Sequence, residues 1–198
     1  MTARLAILIS GRGSNMSAIA RACADGRLDA RVVGVLSDRP EAAGLAAAEA
    51  LGLSTEVVDR RAHPDRASFE RALGERLAAL APDRVALAGF MRVLGPELVA
   101  AWEGRMLNIH PSLLPRHPGL DTHARALAAG DTEHGASVHL VTAELDAGPV
   151  LAQARVPVLP GDTVETLAAR VLAEEHGLYV AALARSLGDP PPAATSPA

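Results

Sequence analysis

The sequence is poor in aromatic residues, in cysteine and in long apolar runs, and each shortage removes a class of protein. Aromatic side chains make up 2% of the 198 residues: two Phe, one Trp and one Tyr. An aromatic-rich binding surface is therefore not expected, and aliphatic and alanine side chains must build the core, which suits helices packed on a sheet. The lone cysteine, Cys23, excludes an internal disulfide and a cysteine-based zinc cluster. No stretch approaches the ~18 apolar residues of a membrane-spanning helix. The opening MTARLAILISGRGSN breaks its apolar run with Gly, Arg and Gly, too early for a secretory signal. A cytoplasmic location and no membrane partner are expected. Long basic runs are also missing and the net charge is −4, which argues against a nucleic-acid partner.

What is present suits one α/β domain over residues 1–187. Short apolar runs read as strands at Leu5–Ile9, Arg31–Leu36, Thr55–Val58, Arg84–Ala88 and Arg105–Ile109. Helices alternate with them. One opens at Ser14 or Asn15 with Ile19, Ala20 and Cys23 inward; others span Ala42–Leu51, Ser68–Leu80 and Pro96–Trp102. His110–Asp121 carries three prolines and reads as an ordered loop. A helix over Thr122–Ala129 follows, then strands at Ser137–Val141 and Val150–Val158, then an amphipathic helix over Thr163–Leu187. The proline-rich residues 188–198 read as a disordered tail. This order predicts a Rossmann-like, mostly parallel sheet flanked by helices, with an antiparallel C-terminal edge.

Two stretches carry chemistry. Gly11-Arg12-Gly13-Ser14-Asn15 joins a strand to a helix. Glycines admit close backbone approach, and a helix N-terminus offers free N–H groups, a combination suited to a phosphate. The dinucleotide fingerprint wants a third glycine where Met16 stands, so a single phosphate fits better; an ordinary strand-to-helix turn is the plain alternative. Asn108 and His110 stand two apart at a strand end, which puts both side chains on one face of the sheet. An Asn and a His there can both donate to a developing oxyanion, though a lone His at a strand end is often structural. Asp146, in Glu144-Leu145-Asp146-Ala147-Gly148-Pro149, is either a turn residue or a partner that favours the charged form of His110. The remaining histidines, His63, His117, His123, His134, His139 and His176, form no HExxH or Cys/His pattern, so no metal is expected. A Gly-x-Ser-x-Gly elbow is missing too, which leaves acyl-enzyme chemistry unsupported.

Taken in order, Ile9–Asn15, Leu87–Arg92, Leu107–Pro115, Glu133–His139 and Glu144–Pro149 resemble the folate-dependent phosphoribosylglycinamide formyltransferases. The resemblance runs from Leu5 to about Leu187. It implies formyl transfer from 10-formyltetrahydrofolate, as co-substrate, to the amine of phosphoribosyl-glycinamide in purine (IMP) synthesis. It implies a phosphate-binding half over residues 1–100 and a catalytic and folate half over 101–187. Asn108, His110 and Asp146 match the catalytic trio; Gly13, Ser14, Asn15 and Glu175 match substrate contacts. Arg66, Met91, Arg92, Val93 and Leu94, with Asn108, match folate contacts. The helix sequence by itself reads Glu175 as part of a solvated face. Arg12 stands where relatives often have Asn, His117 where an aromatic is frequent, and Leu140 and Ala143 where an aromatic and an acid are commoner.

The implied partners are these small molecules, with the chain a monomer or homodimer. Three rival readings remain. Methionyl-tRNA formyltransferase would need a basic second domain, and formyltetrahydrofolate hydrolase a regulatory domain before the first strand; neither is expected here. The third is a non-catalytic nucleotide-binding module.

Overall fold

The computed structural model describes residues 2–188. The expected tail lies outside the described residues except for Gly188, which ends the last helix. In chain order the elements are β1 (Ala3–Ile9), α1 (Ser14–Ala24), β2 (Ala30–Ser37), α2 (Ala43–Ala50), β3 (Thr55–Val57) and α3 (Arg66–Leu80). Then come β4 (Arg84–Leu87), α4 (Pro96–Ala101), β5 (Met106–His110), α5 (Thr122–Ala128), β6 (Glu133–Leu140), β7 (Val150–Pro157) and α6 (Val164–Gly188). A 3₁₀ turn at Arg60–Ala62, which periodicity does not signal, precedes α3.

The strands form one seven-stranded sheet in the order β3-β2-β1-β4-β5-β6-β7. β1 to β5 pair in parallel, and β5–β6 and β6–β7 are antiparallel. The expected mixed architecture is the one observed. The chain moves outward from β1 to β3, then returns to the other side of β1 with β4. The loops after β1 and β4 therefore part, and open α/β sheets bind ligands in the crevice at such a reversal.

Strand alternation sorts the core into two layers. Leu5, Ile7 and Ile9 of β1 pack with α1, α2 and α6, whereas Ala6 and Leu8 pack with Phe69, Leu73 and Leu77 of α3 and with Trp102. On β5, Leu107 and Ile109 join the first layer and Met106 the second. By the same alternation Asn108 and His110 lie on the Met106 face.

Several boundaries differ from the sequence expectation. Gly13, in the left-handed region at φ 73°, is the cap of α1, so neither Ser14 nor Asn15 caps it. Cys23 is half-buried where an inward position was expected. His110 closes β5, where it was expected to open the loop, and β6 begins at Glu133, not Ser137. The early residues of β6 break alternation with His134 and Gly135, yet they pair fully with Val156 and Arg155 of β7.

The phenol of Tyr179, in the middle of α6, is wholly buried. Its hydroxyl donates toward both Leu107 O at 2.8 Å and Leu87 O at 3.1 Å. It thus bridges the carboxyl end of β4 to the neighbouring β5. Burial pushes its pKa well above the ordinary value, so it stays a donor. Tyr179→Phe keeps the ring and removes the only shared donor of those two contacts. The expected loss is about 1–3 kcal/mol of stability, read as a lower urea midpoint at unchanged slope. An unaltered midpoint would show that the hydroxyl is dispensable.

Candidate active site

A cleft of roughly 1270 Å³ lies at the carboxyl ends of the parallel strands. Its walls come from the loop after β1, the segment after β4, the end of β5, the β6–β7 connection and one side of α6. Of the residues matched to catalytic, substrate and folate positions, all but Arg66 line it.

The glycine-rich loop forms one end. A Cβ on Gly13 would stand 2.9 Å from the Gly44 Cα, and Gly44 N–H donates to Gly11 O at 2.9 Å. Glycine is needed at both positions for the α1 and α2 starts to meet. Because the α1 cap has no side chain, the first N–H groups of that helix have no side-chain acceptor. Asn15 and Glu175 are joined across α1 and α6, with Asn15 Nδ2 donating to Glu175 Oε2 at 2.7 Å. Glu175 is 8% exposed, and burial raises its pKa while the Asn15 hydrogen bond opposes the rise. The solvated-face reading of Glu175 is thereby corrected. It falls in step with Leu167, Val171, Tyr179 and Leu183, the buried stripe of α6.

The middle of the cleft holds the trio. Asp146, itself at φ 53°, accepts the Gly119 N–H on Oδ2 at 2.8 Å. The same oxygen stands 3.4 Å from His110 Nδ1. His110 Nε2 lies 3.0 Å from the His117 carbonyl, which can only accept. Both neighbours of the ring, a carbonyl and a carboxylate, are acceptors.

One cleft residue in contact with the trio escaped the sequence reading. His139 sits directly across β5–β6 from Asn108. Its Nδ1 lies 2.9 Å from the Leu140 carbonyl and must carry the proton of that bond. Burial depresses its pKa, and Asp146, with Oδ1 at 3.6 Å from Nε2, opposes without reversing this. The neutral ring then presents its Nε2 lone pair to Asn108 Nδ2 at 3.1 Å. That bond fixes the direction of the Asn108 amide and leaves its second N–H for the cleft. The only sequence signal was the strand register, which cannot be set before β6 is placed.

The other end is apolar. Met91 (64% exposed), Val93, Leu120 (77% exposed), Leu145 and Val164 all show their side chains to the cleft. A cluster of exposed aliphatic side chains in a concavity is a surface suited to contact with a ligand. The segment is pinned from below: Met91 N–H donates to Ser10 Oγ at 2.8 Å, and Arg92 Nε donates to the buried Asp38 Oδ2 at 2.6 Å. Leu94 is buried at the segment's end. Arg66 opens α3, outside the cleft lining, with Nε 2.6 Å from Glu70 Oε1. Glu70 in turn accepts the Gly95 N–H at 2.8 Å, which links Arg66 to the end of this segment. Among the described residues no group of His, Cys, Asp or Glu is arranged to hold a metal ion.

The family model described as Formyl transferase matches residues 3–183. The phosphoribosylglycinamide formyltransferase of Escherichia coli (strain K12) is 48% identical over 175 residues, covering 88% of this chain and 82% of that protein. Among solved structures, glycinamide ribonucleotide transformylase 1 from Symbiobacterium toebii is similar at a TM-score of 0.92 and 47% identity, over 94% of this chain and 89% of that one. Phosphoribosylglycinamide formyltransferase from Brucella melitensis is similar at 0.91 and 52%, over 96% and 98% of the two chains.

Beside the trio, His134 Nε2 and His123 Nδ1 lie 3.1 Å apart. His134 is 1% exposed, and burial, reinforced by the neighbouring rings, lowers its pKa to about 4. As pH falls below the unfolded value of about 6.5, the unfolded chain takes up this proton before the folded chain does. Stability therefore declines between about pH 6.5 and about pH 4. An NMR titration of His134 should give a midpoint well below 6, and the urea midpoint should drop from pH 7 to pH 5. A His134 midpoint at or above 6.5 would contradict this assignment.

Proposed function

The chain belongs to the formyl transferase family, and from that membership we infer that its reaction is the one its relatives are named for. It transfers a formyl group to the amine of phosphoribosyl-glycinamide in purine synthesis. The finer reading is that the donor is 10-formyltetrahydrofolate and that the products are the N-formyl compound and tetrahydrofolate, on the route to IMP. The observation that carries it is the arrangement of one cleft, with free helix N–H groups at one end, an apolar wall at the other, and Asn108, His110 and Asp146 between them.

In this reading Gly13, Ser14 and Asn15 hold the substrate phosphate and ribose, and the carboxylate of Glu175, oriented by Asn15, accepts hydrogen bonds from the glycinamide group. Met91, Arg92, Val93 and Leu94 line the pterin pocket. Arg66, beyond the cleft lining, serves the anionic end of the folate. Residues 1–100 supply the phosphate end and residues 101–187 the catalytic centre. The two small molecules are the partners, the proposed setting is the cytoplasm, and the chain acts as a monomer or homodimer.

The chemistry follows from what each group can donate. The neutral substrate amine attacks the formyl carbon, and negative charge develops on the formyl oxygen. Asn108, its amide held by His139, gives its free N–H to that oxygen. His110 gives a second, the Nε2–H now directed at the His117 carbonyl. Asp146 stabilises the charged imidazole and, through water, relays the proton from the attacking amine to the departing folate nitrogen. No covalent enzyme intermediate is needed, and alignment of two bound substrates supplies a comparable share of the acceleration.

Asn108→Ala is expected to lower kcat by roughly 10²–10³. Asp146→Asn should reduce kcat far more than it raises either KM. The decisive assay follows absorbance on mixing the protein with 10-formyltetrahydrofolate, with and without phosphoribosyl-glycinamide. A change only with both substrates supports transfer. A change with the folate alone would replace transfer by hydrolysis, and tight nucleotide binding with no change would replace it by a binding module.

A further inference from the structure

The phosphate end of the cleft carries two cations that the reaction scheme does not use. Arg12 and Arg39 both line the cleft and are exposed. Neither guanidinium has a hydrogen bond or ion pair to any described residue. Nearby arginines behave differently: Arg92 is paired with Asp38, and Arg61 with Asp59 and Glu41.

Their backbones are anchored although their heads are free. Arg39 N–H donates to Ser37 Oγ at 3.1 Å, and the same hydroxyl donates to Arg39 O at 2.9 Å. Arg12 sits between Gly11, whose carbonyl accepts Gly44 N–H, and Gly13, whose carbonyl accepts Ser17 N–H. Two unpaired like charges lining one concavity give it a positive potential that attracts an anion.

The opposite wall offers such an anion nothing. On α6 the cleft is lined by Val164, Glu165, Ala168, Ala169, Leu172 and Glu175, with no cation among them. Backbone N–H groups at the α1 start supply partial charge only. In this cleft the full positive charge to match a dianion comes from the loop side. Asn15 Oδ1, buried and without a partner among the described residues, adds an acceptor, which suits a sugar hydroxyl beside the phosphate.

We propose that Arg12 and Arg39 form a two-arginine clamp that makes the phosphate group of the amine substrate the main determinant of its affinity. The proposal rests on the functional reading above and goes beyond the backbone contacts of Gly13, Ser14 and Asn15. A fork of guanidinium donors matches phosphate oxygens, and each charge-assisted contact outweighs a neutral one.

The test compares wild type with Arg12→Gln, Arg39→Gln and the double variant. Amine substrates are phosphoribosyl-glycinamide and its dephosphorylated counterpart. The double variant should raise KM for the phosphorylated amine roughly 10-fold to 100-fold, with a smaller fall in kcat. The wild-type preference for the phosphorylated amine, as a ratio of kcat/KM, should shrink by the same factor. Added salt should raise KM more in wild type than in the double variant. Both side chains are exposed, so the variants should fold, and Arg12→Lys with Arg39→Lys should recover part of the affinity. An unchanged KM, or an equal loss with the dephosphorylated amine, overturns the clamp. If wild type transfers no formyl group, the functional reading fails separately. Calorimetric binding of ribose 5-phosphate then still decides: weaker binding in the double variant upholds the clamp, and equal binding removes it.

Discussion

The Asp146 carboxylate ties together segments that are remote along the chain. Oδ2 accepts the Gly119 N–H of the loop after β5 and faces His110 at the end of β5. Oδ1 faces His139 on β6. Its own loop, between β6 and β7, is brought to this place by the antiparallel edge of the sheet. Without that edge the parallel core would still form a crevice at the β1/β4 reversal, but the acceptor that orients His110 would be missing. The mixed topology is therefore what brings a carboxylate beside the imidazole at the crevice, a pairing suited to proton transfer.

Much of this was legible in the sequence where the signal is local. The period of two placed Asn108 and His110 on one face, and the glycine-rich stretch was read as the turn between a strand and a helix that β1 and α1 make. What was not legible is non-local. Nothing near Asp146 says that it reaches His110, because the turn reading and the partner reading share the same residues. His139 lay inside the expected strand, but its place opposite Asn108 became visible only with the β5–β6 register. Glu175 is a different case. Its position in step with Leu167, Val171, Tyr179 and Leu183 was available from helical spacing. A carboxylate inside an apolar stripe is informative because burying one without a partner is costly, and Asn15 is that partner.

The cleft has an electrical direction that the net charge of −4 conceals. Helix N–H groups and free arginines crowd the glycine loop, while Asp121, Glu144, Asp146 and Glu175 also line the cleft. The apolar end carries exposed aliphatic side chains, and its Met91-Arg92 stretch is held by bonds to buried Ser10 and Asp38. Cations, carboxylates and an apolar surface thus share one concavity.

The histidines around the loop after β5 fit the same logic. His110, His117, His123, His134 and His139 lie within a short span of one another, and if all were charged their repulsion would loosen the site. The structure separates them by what each ring faces. His110 faces Asp146 and His117 faces Asp131, with carboxylate oxygens at 3.4 and 2.7 Å. His123 and His134 face each other, and burial lowers the pKa of both. His139 is also held low by burial, with its proton committed to the Leu140 carbonyl. His110 and His117 are the two rings of this group with a carboxylate oxygen within 3.4 Å. The neutral rings serve as walls and as a hydrogen-bond acceptor for Asn108. Burial thus holds His123, His134 and His139 toward the neutral form, so the packing around β6 shapes the electrostatics of the cleft.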